Sequence, residues 1–132
     1  MTISGIKMLS KVITKTDDLA NEFKELFNSP EAKEGKGIVY FFMSEKPIPR
    51  VSGESNILYI GKTKNTIRTR YFQHSESLAS KKNGIFYKYI IENYGGLKMG
   101  YVVTETPRET ENELFNEYYK TYLEYPPKSK VG

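Results

Sequence analysis

The chain has no cysteine, no tryptophan and only one histidine among its 132 residues. Without cysteine, disulfides and thiolate metal centres are excluded, and a reducing, cytoplasmic compartment is the setting that fits. No apolar run approaches the roughly 20 residues needed to cross a bilayer, so no membrane association is expected. The opening MTISGIKMLSKVITK also lacks the apolar core of a secretory signal. Repeats and low-complexity tracts are missing too. What remains is a chain sized for one domain.

Twenty basic residues against sixteen acidic ones give a net charge of +4, and the isoelectric point is about 9.1. This is a mild lean toward polyanions such as nucleic acid. Tyrosine is common, at 11 residues. A phenol is an amphipathic core filler, so the count alone assigns no function.

Residues 1–14 have no clean period and read as a tail or a short edge strand. Leu19, Phe23, Leu26 and Phe27 recur at helical spacing, with Thr16 or Asp17 as the cap and Ser29-Pro30 as the stop. Gly37 to Met43 is apolar at every position after the glycine, the pattern of a central strand buried on both faces. Ser44 to Ser55 holds prolines and a glycine and reads as a wide hairpin loop, from which Ile57 to Ile60 returns as a second strand.

A helix is expected from Thr66 to about Ala79, with Arg70 and His74 on the same face as Ile67, Tyr71 and Leu78. Lys81 to Gly84 reads as a break, followed by a helix carrying Phe86, Tyr89, Ile90 and Tyr94 and closed by Gly95-Gly96. Leu97 to Thr104 alternates as a third strand. Thr106-Pro107-Arg108-Glu109 has the form of a capping box with proline at the first helical position. In the helix that follows, Glu113, Glu117, Lys120 and Glu124 share a solvated face. Glu111 instead joins Leu114, Phe115 and Tyr118 on the inward stripe. Pro126-Pro127 ends the helix, and residues 128–132 read as a basic tail.

Arg70, His74 and Glu111 are thus polar groups on inward faces, beside the strand tyrosines Tyr40 and Tyr59. Buried charge is costly unless partnered, so the three call for a common explanation. Each has a plain structural reading. The tyrosines serve as core residues, Arg70 and Glu111 pair as a salt bridge, and the lone histidine is structural.

In this order and spacing, however, the sequence resembles the GIY-YIG nuclease family. The resemblance is carried by Gly37-Ile38-Val39-Tyr40, by Tyr59-Ile60-Gly61-Lys62, by Arg70 followed by His74, and by Glu111 ahead of Leu114-Phe115. It spans residues 37–127, leaving 1–36 as an N-terminal extension with a supporting helix. It implies an α+β fold, a small three-stranded antiparallel sheet flanked by helices. It also implies a metal-dependent endonuclease acting on DNA, and Ser129 stands where the family has an asparagine.

The chemistry implied is hydrolysis of a phosphodiester. Glu111, as sole carboxylate, suits one hard divalent ion, Mg²⁺ or Mn²⁺, that keeps most of its waters. Arg70 offers a bidentate donor to phosphate oxygens. Tyr40 would contact or activate the attacking water; a phenol with a pKa of about 10 needs a proton acceptor for that, and His74 is the candidate. Tyr59 and Lys62 would orient water and phosphate. Lys64, Arg68, Lys81, Lys82 and Lys128 are candidate contacts to nucleic acid. The alternative from another class is a nucleic-acid-binding module on the same fold without cleavage activity. Single- and double-stranded DNA, and a monomer or a homodimer, are all compatible with these residues.

Overall fold

The sheet is organised around β2 (Ile38–Pro49), whose first seven residues are all buried. Ile38, Tyr40 and Phe42 point into a core shared with Leu19, Phe23, Phe27, Tyr87 and Ile90. Val39, Phe41 and Met43 point the other way, against Ile57, Ile60, Tyr118 and Tyr122. A strand covered on both sides has no polar face to show, which is why its sequence does not alternate.

The computed structural model describes residues 1–129. Along the chain β1 (Lys7–Met8) is followed by α1 (Leu19–Phe27), β2, β3 (Glu54–Thr63), α2 (Ile67–Tyr71), α3 (Ser75–Leu78), α4 (Lys81–Tyr94), β4 (Leu97–Val103) and α5 (Pro107–Tyr122). The architecture is α+β. The sheet has the order β1-β4-β2-β3 with every pairing antiparallel. It therefore has four strands among the described residues rather than the three expected, because Lys7 and Met8 pair with Tyr101 and Gly100 and extend one edge. In the register at the middle of β2, Tyr40 lies opposite Gly61 on one side and Tyr101 on the other.

Helix α1 seals one face of the sheet through rings. Phe23 stacks on Phe27 at 5.5 Å, and Phe27 stacks on Tyr71 at 5.4 Å. Each fully buried phenylalanine of this kind contributes about 1.5–3 kcal/mol by removal from water. The helix is capped by Asp18, one residue beyond the expected cap, whose Oδ1 accepts from the Asn21 amide. On the opposite face α5 lays Tyr118 and Tyr122 against β2 and β3.

Several local expectations are corrected. The Ser44–Ser55 loop is mostly strand: β2 runs to Pro49, β3 resumes at Glu54, and the turn closes where the Arg50 amide donates to the Gly53 carbonyl. The prolines are tolerated because pairing of β2 with β4 ends at Ser44–Leu97, so neither interrupts a ladder on that side. The single helix expected over Thr66–Ala79 is divided into α2 and α3 by a tight turn at Phe72–His74. Ser75 Oγ donates to the Phe72 carbonyl and Ser77 Oγ to the His74 carbonyl, hydroxyls competing for helical acceptors.

Lys81 to Gly84 is not a break but the first turn of α4, and its buried stripe is Gly84, Tyr87, Ile90 and Ile91 rather than Phe86, Tyr89 and Tyr94. Gly84 sits so close to α3 that a Cβ there would fall 2.4 Å from the Ala79 carbonyl oxygen by backbone geometry alone. The Thr106 box does not close: Thr106 makes no side-chain capping bond, and Thr104 Oγ1 instead accepts from the Thr106 amide and pairs with the Thr110 hydroxyl. Glu124 is not on a solvated face: its carboxylate accepts from Arg50 and from the Val51 amide.

The expected tail also packs. The Lys128 amide donates to the Leu58 carbonyl at 2.8 Å and Ser129 Oγ accepts from the Ile60 amide at 3.2 Å. Residues 128 and 129 thereby follow the outer edge of β3. Lys130 of the expected basic tail lies outside the described residues.

Candidate functional site

Strand β3, helix α2, the turn after it and helix α5 converge on an open cleft of about 570 Å³. Its wall includes Tyr59, Lys62, Arg70, His74, Glu111 and Lys128, together with Tyr71 and Asn83. Each arrives by a local rule. Tyr59 and Lys62 are set by the register of β3. Arg70 lies in the last turn of α2, whose start is fixed by Thr66 Oγ1 accepting from the Thr69 amide. His74 is carried by the tight turn beyond it, and Glu111 by the inward stripe near the start of α5.

Electrostatically the cleft is basic, with one acid. Glu111 keeps only 14% of its side chain exposed, and its Oε1 accepts from Lys62 Nζ at 3.1 Å. The salt bridge weighed between Arg70 and Glu111 does not form. Arg70 has no hydrogen bond or ion pair among the described residues; its guanidinium lies 4.7 Å from the ring centroid of Tyr71. The His74 imidazole also has no bonded partner among the described residues. Both residues are exposed, so the cost of burying them inward is avoided by an open cleft rather than met by a partner.

Tyr40 differs from the expectation. It is buried, it is not part of the cleft wall, and its hydroxyl pairs with the Tyr71 hydroxyl at 2.9 Å. Burial pushes its pKa up to about 12, against the opposing pull of the Tyr71 hydrogen bond. Burial raises Tyr71 as well, reinforced by Tyr40. The partner proposed for Tyr40, His74, is therefore replaced in this geometry by Tyr71. Tyr71 both lines the cleft and touches Tyr40, and so stands between them. Tyr59 completes the layer, stacked on Tyr40 with ring centroids 6.1 Å apart.

The remaining candidates divide. Lys128 is in the cleft, where its Nζ donates to Asn83 Oδ1 at 2.7 Å and lies over the Phe86 ring. Arg68 faces away, donating to Asn28 and covering Phe72. Lys64 borders a separate hollow beside Thr106, Pro107 and Arg108. Lys81 and Lys82 are exposed at the start of α4. Sequence reasoning missed Tyr71 and Asn83. A signal existed for the first: a tyrosine in an apolar stripe needs a partner for its hydroxyl. None existed for Asn83, whose partner is 45 residues away.

Among the described residues Glu111 Oε2 has no hydrogen-bond partner, and no cluster of three or more acidic or histidine side chains occurs. One carboxylate oxygen at the wall of a wet cleft fits a hard cation that retains most of its waters, and does not fit a closed all-protein cage. Comparison with family models, curated proteins and solved structures returned no match.

Proposed function

We propose that this chain is a metal-dependent endonuclease of the GIY-YIG type, hydrolysing phosphodiester bonds in DNA at the Glu111 cleft. The observation that carries this reading is the shared cleft. Tyr59, Lys62, Arg70, His74 and Glu111 come from three separate parts of the chain and line one cleft. A structural role for Arg70 would give it a carboxylate partner, and it has none among the described residues.

In this reading Arg70 and Lys62 bind the non-bridging phosphate oxygens, where an unpaired guanidinium offers two parallel donors. Glu111 would hold Mg²⁺ or Mn²⁺, which supplies charge relief at the phosphate and a more acidic bound water. Lys62 keeps the carboxylate turned toward the cleft until the substrate arrives. Tyr59 orients the attacking water. His74, exposed at the rim, accepts its proton. Tyr40 is assigned a supporting part, because a buried phenol that holds its proton to about pH 12 is a poor base near neutrality.

Purified protein incubated with plasmid and single-stranded DNA tests the reading. Cutting is expected with Mg²⁺ or Mn²⁺, abolished by EDTA and by Glu111→Ala, with the Glu111→Ala melting profile unchanged. Cleavage retained by that variant refutes the assignment. DNA binding without chelator-sensitive cutting would mark a binding module.

A further inference from the structure

We propose that the outward groove of α4 is a stacking platform for unpaired bases, which makes single-stranded nucleic acid, or a single-stranded segment, the ligand of this face. The groove, about 380 Å³, is lined by Lys82, Ile85, Phe86 and Tyr89. Ile85 is 73% exposed and Tyr89 55% exposed, so a large apolar surface faces outward on a helix whose other side already supplies the core. Helix economy does not ask for it: Tyr87, Ile90 and Ile91 fill the buried stripe.

Two observations choose the occupant. The first is charge. The groove wall contains Lys82 and no acid, and the other exposed charges of the helix are Lys81 and Lys88 against the single acid Glu92, so the face is net basic. Rings beside cations match bases beside phosphates, the combination by which proteins hold single strands without reading sequence. A duplex hides its base faces in the stack and offers such rings nothing.

The second observation is continuity. Lys128 lines the cleft and is bonded to Asn83, one residue past Lys82, while its ammonium lies 5.4 Å from the ring centroid of Phe86. Lys128 thus stands between the cleft, which it lines, and Phe86, whose ring lines the groove. A strand whose phosphate sits against Arg70 and Lys62 would continue past Lys128 with its next bases over Phe86 and Tyr89. The choice of nucleic acid as ligand class rests on the nuclease reading; the choice of unpaired strand rests on the groove.

The test reads binding, not cutting, and so separates the two. Fluorescence anisotropy is measured in EDTA with a labelled oligothymidylate and with a hairpin duplex of equal length. The wild-type chain is expected to prefer the single strand. Tyr89→Ala, an exposed site that should leave the fold intact, is expected to weaken single-strand binding about fivefold or more, the loss of one stacked base. It should leave the salt dependence unchanged, and Tyr89→Phe should restore affinity. Lys82→Gln should instead reduce the slope of log affinity against log salt by about 0.7, one phosphate contact.

Unchanged single-strand affinity in Tyr89→Ala, or equal preference for the duplex, overturns the proposal. So does sedimentation showing a wild-type dimer that Tyr89→Ala dissociates, since a second copy of the chain would then cover the groove. Failure of metal-dependent cutting with these binding results intact removes the nuclease reading and leaves the stacking platform standing.

Discussion

Replacing Gly61 by alanine probes the packing on which the cleft depends. A Cβ at this position would lie 2.4 Å from both Cζ and the hydroxyl oxygen of Tyr40 and 2.7 Å from its Cε1. Gly61 is not in the left-handed region, so the demand is for space and not for backbone freedom. Ordinary carbon contacts begin near about 3.5 Å, so the Tyr40 ring must retreat by roughly 1 Å. It has nowhere to go, because Phe42, Tyr59 and Tyr71 touch it with ring centroids at 6.4, 6.1 and 5.3 Å.

Overpacking of a tight core costs about 1–3 kcal/mol. Pulling the Tyr40 hydroxyl from Tyr71 leaves a buried polar group unpaired at about 1 kcal/mol more. A total near 3 kcal/mol lowers Tm by about 10 °C for a chain of 132 residues. Urea and thermal denaturation of Gly61→Ala measure this. The decisive control is the same change in a Tyr40→Leu background, where the clashing ring atoms are gone. There Gly61→Ala should cost less than about 1 kcal/mol, a strongly non-additive cycle. Equal losses in both backgrounds, or no loss in the wild type, would refute the packing argument.

Buried phenols should make the protein sensitive to alkali. Burial raises the pKa values of Tyr40, to about 12, and of Tyr71 and Tyr87. The folded state therefore holds protons that the unfolded chain releases near pH 10, so this stability is complete below pH 10 and is lost as pH rises through the folded values. Each such tyrosine contributes a slope of about −0.7 kcal/mol per pH unit at pH 10, steepening toward about −1.4 by pH 11. Urea midpoints between pH 9 and 11 should fall accordingly, and Tyr40→Phe should flatten the decline; a flat profile would contradict it. Glu124→Ala should destabilise by about 2 kcal/mol, because it leaves the charge of Arg50, whose side chain is only 9% exposed, with the Tyr125 carbonyl as its remaining partner among the described residues. Glu113→Ala, on an exposed face, should change stability by less than about 0.5 kcal/mol. Equal effects of the two in chemical denaturation would show that the Arg50 contact carries no weight.

Much of the local structure was legible because it is set by neighbours a few residues apart. The double-faced apolar run fixes β2 as central, and Gly95 closes α4 in the left-handed conformation its backbone requires. Glu111 separated itself from Glu113 and Glu117 through helical spacing alone, and it does reach the cleft wall. The misreadings have a common origin. Pro47 and Pro49 look like loop residues until the end of β2–β4 pairing at Ser44 shows that no donor is needed from them on that side, while β2 stays paired with β3 as far as Pro49–Glu54. Glu124 looks solvated until the β2–β3 turn brings Arg50 beneath it.

The sequence by itself determined the central strand and which polar side chains share a helical face with apolar ones. Periodicity is a short-range property that the chain encodes within a turn or two. Only the tertiary structure decided that Tyr40 points at Tyr71, that Lys62 holds Glu111, and that Lys128 lies over the Phe86 ring. Those pairs lie 31, 49 and about 40 residues apart along the chain. Their meeting depends on how whole strands and helices dock, because a hydroxyl or an ammonium group is paired by whatever acceptor the packing brings within about 3 Å.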